Sequence, residues 1–265
     1  QGASSPARFF VPNSILRAKL GLASVHILMA SPSTQYLSFN AKISPGLASY
    51  QSPSTAELED MKSKDPALRN TWAIWEQIQT KSDGTGNAYA DSTHRVAAFS
   101  TVKGFWKYWN HLPQPSELLD GKKFVRETAE SRSVVDALMV FREGVKPQWE
   151  DPLNETGGHF QFQLRPQVDK GLEKGLIDEY WNNIVLGMIG GTIDPADMIT
   201  GIRLVDKLTA QKNSAIRLEV WFSNMEDSEK VDLLESNLLK CMTTRLDGST
   251  SSSKPKCDKK PHGKK

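Results

Sequence analysis

Residues 216–222 alternate without a break: Ile216, Leu218, Val220 and Phe222 on one side, Arg217, Glu219 and Trp221 on the other. A period of two cannot be satisfied by a helix, so this segment is a strand with one face in a core. Residues 159–164 repeat the pattern, with Phe160, Phe162 and Leu164 set against His159, Gln161 and Gln163. A sheet of such strands needs a cover over its apolar side. Its other side, charged and aromatic, is left for water or a ligand. Residues 201–208 lie just upstream of 216–222, and the two segments are expected to pair antiparallel around a turn at 209–214. Residues 71–78 and 95–100 read as further strands.

Helical patterns supply the cover. Val102, Phe105, Trp106 and Trp109 fall at i, i+3, i+4 and i+7, with Ser100 as the expected N-cap. Ile177, Trp181, Ile184, Val185 and Met188 mark a second helix closed by Gly190-Gly191, and Val231, Leu234 and Leu238 mark a third. Antiparallel neighbours with three interspersed helices predict one α+β domain. It is expected over 65–245, with disordered, basic, polar segments at 1–64 (Ser/Pro-rich) and 246–265 (Lys/Ser-rich). The first of these, acid-free through residue 56 and carrying arginine, also has the composition of a transit peptide.

The net charge of +2 conceals a division. Residues 1–56 and 246–265 each carry +4, while 57–245 carries −6. A globular part of that sign is no general phosphate binder and would need a local basic patch. No stretch reaches the roughly 20 apolar residues of a membrane span. Two cysteines, Cys241 and Cys257, allow neither a disulfide framework nor a thiolate metal site, and fit a reducing compartment. The five histidines show no HExxH spacing, and no phosphate-cradling GxxxxGK[ST] occurs, so neither a metal site nor an enzyme is expected. Asn154-Glu155-Thr156 matches a glycosylation acceptor, read as chance in such a chain.

The aromatics are more informative. Trp149-Glu150-Asp151 follows Pro147 and precedes Gly157-Gly158. An indole face beside a carboxylate that accepts two hydrogen bonds in one plane suits a flat cation with an N–H edge, which guanine becomes when methylated at N7. With Trp72-Ala73-Ile74-Trp75, the run 101–111 around Phe105-Trp106, Tyr180-Trp181 to Ile189-Gly190, and Leu218-Glu219-Val220-Trp221, these motifs stand in collinear order. Over about residues 65–242 the chain resembles the messenger-RNA cap-binding family, eukaryotic translation initiation factor 4E.

That resemblance implies a strongly curved antiparallel sheet with three helices on its convex face, no cofactor, and a 5′ cap held on the concave side. It implies that Tyr89 and Trp149 sandwich 7-methylguanine, where most members have tryptophan at the first position. Glu150 would accept the base N1–H and N2–H, and Trp221 would contact the N7-methyl. For the phosphates it implies Arg217, together with Lys207 facing it across the sheet, or Lys212 if the insertion in the turn falls earlier. His159 stands where many members have arginine, so its help would be weak and pH-sensitive. On the convex side Pro66, Val102, Trp106 and Leu186 would receive a Tyr-x-x-x-x-Leu-φ helix of a scaffold or repressor protein. The expected protein is a cytoplasmic monomer that binds capped mRNA. The alternative is an interaction module, a repressor or adaptor, whose cap pocket has weakened.

Three departures from the family stand out. Asn182 and Asn183 replace residues that usually meet the partner. A charged insertion lies near 122–133. The final glycine- and proline-containing strand is expected to be missing, replaced by the Ser/Lys tail. They suggest a divergent lineage of a protozoan kind.

Overall fold

The computed structural model describes residues 54–79, 91–166, 168–169, 172–210, 214–245, 248–251 and 255–263. Tyr89, Lys212 and residues 1–53 lie outside them.

Eight strands form one antiparallel, curved, open sheet: β1 (Ala67–Ile78), β2 (Thr93–Thr101), β3 (Phe124–Glu127), β4 (Arg132–Arg142), β5 (Gly158–Leu164), β6 (Ile199–Asp206), β7 (Ile216–Phe222) and β8 (Cys257–Pro261). Their spatial order is β2-β1-β4-β6-β7-β5-β8, with β3 pairing β4. The expected β6/β7 hairpin is present, joining Leu204 to Leu218 and Val205 to Arg217. A short helix α1 (Thr55–Ser63) precedes the sheet. Helices α2 (Val102–Trp109), α3 (Lys174–Ile189) and α4 (Ser228–Thr243) cover one face, as the three periodicities require. The N-cap of α2 is Thr101, not Ser100; its hydroxyl accepts from the Gly104 N–H at 3.1 Å.

The period of two sorts β1, β4, β5, β6 and β7. Trp72, Ile74, Leu138, Val140, Phe160, Phe162, Ile202, Leu204, Leu218 and Val220 join Phe105, Trp109, Trp181 and Ile184 in the large core under the helices. On the opposite face Met139, Phe141, Val145 and Trp221 form a small apolar cluster, with Trp75 packed against it. Gly201 makes that cluster possible. A Cβ on it would lie 2.4 Å from the ring of Phe141, its cross-strand partner. Phe141 in turn meets Trp221 edge-on, at 5.3 Å and 80°.

Both ends of the expected domain differ from the sequence reading. Residues 55–63 are helical, although 1–64 reads as a disordered tail. The final strand is not missing: β8 pairs with β5, Lys260 opposite His159 and Asp258 opposite Gln161, and the Lys259 ammonium bonds Asp232 of α4 at 2.8 Å. A lysine-rich pentapeptide carries too little apolar alternation to announce a strand; the free edge of β5 supplies the backbone partners. The insertion near 122–133 is likewise structured, as the β3/β4 hairpin. Two of its charges are matched by other strands, Arg126 by the buried Glu76 and Lys123 by Asp206.

A concave aromatic and basic site

The loop between β4 and β5 is built to present Trp149. Asp151 accepts the Lys146 N–H at 2.9 Å and the Leu153 N–H at 3.0 Å. Asn154, fully buried, donates its amide to the Lys146 and Gln148 carbonyls, both at 2.9 Å. That amide is engaged inside the loop, so the glycosylation pattern has no accessible acceptor. At Gly157 the loop returns so close to β7 that a Cβ would sit 1.9 Å from the Phe222 carbonyl oxygen. The result is a Trp149 that is 52% exposed, the only one of the seven tryptophans so open. Glu150 beside it is exposed, and no hydrogen bond or ion pair engages its carboxylate among the described residues.

Next along the concave face come three rings. Trp221 is buried, with His262 at 4.3 Å and His159 at 6.0 Å. His262 lies nearly parallel to Trp149, at 6.0 Å and 15°. Its Nδ1–H donates to the Asn154 carbonyl at 2.9 Å, which leaves Nε2 as an acceptor for the Nδ1–H of His159 at 3.1 Å. Both imidazoles are neutral in that relay. Burial, with the neighbouring His262, Lys260 and Arg203 adding to it against Glu219, lowers the His159 pKa to about 4. Burial lowers that of His262 as well.

Cations follow. Arg203 and Glu219 form a buried pair at 2.8 Å, Arg203 also donating to Gln77 at 3.1 Å and lying 5.8 Å from the Trp221 ring. Burial raises the Glu219 carboxyl, but Arg203, the Trp221 N–H and Arg217 outweigh it and hold its pKa below the usual carboxylate value. Arg217 reaches Glu219 at 3.4 Å while part of its side chain stays exposed. Lys207 is exposed at the end of β6.

The structure thus sets Trp149, Trp221, Arg217 and Lys207 on one side of the sheet, with Glu150 following Trp149 in its loop, and corrects one expectation. Arg217 lies opposite Val205, while Lys207 meets Ala215 two pairs further on, so the two cations are diagonal neighbours. His159, expected to give the phosphates weak and pH-sensitive help, is 6% exposed, uncharged at neutral pH, and turned to Trp221 and His262. Sequence reasoning missed Asn154, Arg203, Lys260 and His262. The signal for Lys260 and His262 was the alternation Asp258, Lys260, His262, hidden in a segment taken for a tail.

On the helical side, Pro66 and Val102 are tied by the Val102 N–H to Pro66 carbonyl bond of 2.9 Å. Trp106 is half-buried against Phe105, its indole N–H buried without an acceptor among the described residues. Leu186 is almost wholly buried. Asn182 and Asn183 do not face outward. Asn182 accepts from the Trp109 indole at 2.9 Å and donates to Gln114, and Asn183 donates to the Thr244 carbonyl at 2.8 Å.

A sheet backed by helices, with its open face aromatic at one end and basic at the other, defines a class of surface suited to a flat base carrying phosphates. The family model described as eukaryotic initiation factor 4E matches residues 67–256. The wheat (Triticum aestivum) protein named eukaryotic translation initiation factor NCBP is 30% identical over 172 residues, 64% of this chain and 62% of that one. Eukaryotic translation initiation factor 4E of Saccharomyces cerevisiae is 34% identical over 138 residues, 52% of this chain and 54% of the relative. Each alignment therefore spans less than two thirds of the curated relative. Among solved structures, Ascaris suum eIF4E-3 in complex with an m2,2,7G cap shares the fold at a TM-score of 0.53 and 22% identity, covering 73% of this chain and 97% of that one. The chain belongs to the eukaryotic initiation factor 4E family.

Proposed function

We propose that this protein binds the 7-methylguanosine cap of mRNA 5′ ends and links it to a scaffold or repressor protein in translation initiation or its control. The observation that carries the reading is the exposed Trp149 face beside the uncommitted Glu150 carboxylate, at the head of a lane that ends in Arg217 and Lys207. In this reading 7-methylguanine stacks on Trp149, with Tyr89 as the second face, and Glu150 accepts N1–H and N2–H. Methylation makes the ring cationic, which strengthens the stacking and the contact with Glu150 together. Stacking at about 1–3 kcal/mol per base and charge-assisted hydrogen bonds at about 1.5–3 kcal/mol each are enough for micromolar affinity after ordering costs. Trp221, buried with His262 against it, would contact the N7-methyl. On the other face, the half-buried Trp106 with its unpaired indole N–H would be covered by the partner's helix, beside Pro66, Val102 and Leu186. The protein acts as a monomer in the cytoplasm and performs no chemistry on the cap.

Tryptophan fluorescence titrated with 7-methyl-GTP and, in parallel, with GTP tests this. Quenching with at least about a tenfold preference for the methylated nucleotide, about 1.4 kcal/mol, supports it; equal or absent quenching overturns it. The adaptor reading, in which the cap pocket has weakened, is favoured by one observation: His159, where many members have arginine, is buried and uncharged at neutral pH.

A further inference from the structure

Resting on the cap-binding reading, we infer that Lys260 of the C-terminal strand is a phosphate-binding residue of the site, supplying the cation that His159 does not. Directly opposed residues of an antiparallel pair project to the same face. Lys260 and His159 are such a pair, and His159 faces Trp221 and His262, so Lys260 stands on the concave side. Its ammonium leans along β5 to the Gln161 amide oxygen at 3.1 Å. That direction leads away from the aromatic rings toward Gln163, whose cross-strand partner is Arg217. Lys260, Arg217 and Lys207 therefore line one basic track, about 7 Å of strand separating Gln161 from Gln163.

The local charges leave Lys260 available. Lys260 is exposed, and among the described residues its ammonium makes no ion pair. The acids near it are already matched: Glu219 by Arg203 and Arg217, Asp258 by Lys256 at 3.0 Å. His159 is buried and uncharged at neutral pH and cannot serve an anion. A lysine held only by a neutral amide exchanges that bond for a phosphate oxygen without leaving a buried charge behind.

Full-length Lys260→Gln and Lys260→Arg, titrated by fluorescence with 7-methyl-GTP and with the phosphate-free nucleoside 7-methylguanosine, test the assignment. Lys260→Gln is expected to weaken 7-methyl-GTP about three- to tenfold and to leave the nucleoside unchanged. Lys260→Arg restores the nucleotide affinity, and Lys260→Gln shows a shallower dependence on ionic strength than the unaltered chain. Unchanged 7-methyl-GTP affinity in Lys260→Gln overturns the inference, and so does an equal loss for nucleotide and nucleoside, which would make Lys260 a support for β8 alone. If the unaltered chain shows no preference for 7-methyl-GTP over GTP, the cap reading fails first and takes this inference with it.

Discussion

Trp149 leaves half of its surface in water, a cost that nothing within its own loop recovers. The loop spends polar groups holding that posture: Asp151 and Asn154 bond back to the backbone at 146, 148 and 153, while the Glu150 carboxylate beside Trp149 is not used in this way. Glu150→Ala is therefore expected to lower 7-methyl-GTP affinity at least about tenfold while changing stability by no more than about 0.5 kcal/mol, as for other exposed positions. Fluorescence titration and a thermal melt on the same sample separate the two effects. Unchanged affinity would remove the carboxylate from the site. Trp149 and Glu150 stand out in the sequence because a tryptophan beside a carboxylate, among glycine and proline, has no core to join. Asn154 does not, since its sequence neighbourhood reads as a surface acceptor and only the folded loop buries it.

At the scale of elements, the concave face depends on strands meeting in register. Phe141 rests on Gly201 and then against Trp221, three residues from three different strands. Gly201→Val would push the Phe141 ring aside at an expected cost of about 1–3 kcal/mol, with a changed near-ultraviolet circular dichroism signal from Trp221. An unchanged spectrum and melting point would mean the cluster repacks freely. The C-terminal strand is held to the site by the relay from Asn154 through His262 to His159. Both histidines have depressed folded-state pKa values, so their stabilising contribution is complete above the unfolded value of about 6.5 and is lost as pH falls below it, for His159 down to about 4. For His159 alone this is on the order of 3 kcal/mol by pH 4. Denaturant midpoints are expected to fall between pH 7 and 4.5, and to fall less in His159→Gln. Equal pH dependence in the two proteins would place the titration elsewhere.

The whole molecule is a sheet with two unlike faces. One is sealed by α2, α3 and α4; the other carries rings at one end and cations at the other. The two proposed activities lie on opposite faces and are expected to separate by mutation. Trp106→Ala should abolish capture of a Tyr-x-x-x-x-Leu-φ peptide and retain 7-methyl-GTP quenching, both read on one preparation. If that variant unfolds, Trp106 belongs to the core it already touches through Phe105. The acidic balance of the central region is a property of the surface as a whole. The basic track is local, and part of it comes from outside that region, on β8.

Strands β1, β2, β5, β6 and β7, the three covering helices and the two faces of β5 and β7 were legible from periodicity, because a half-buried strand and an amphipathic helix write their burial into the chain at periods of two and 3.6. Trp149 and Glu150 stand out in the sequence because they break an apolar pattern, whereas the part given to Arg217 comes from the family resemblance. The hairpin β3/β4, the last strand and the placing of His159, His262 and Lys260 were decided only by the tertiary structure. An edge strand rich in lysine takes its conformation from the backbone groups of its neighbour, and a histidine takes its charge state from what surrounds it. Neither cause lies within reach of the residues on either side in the sequence.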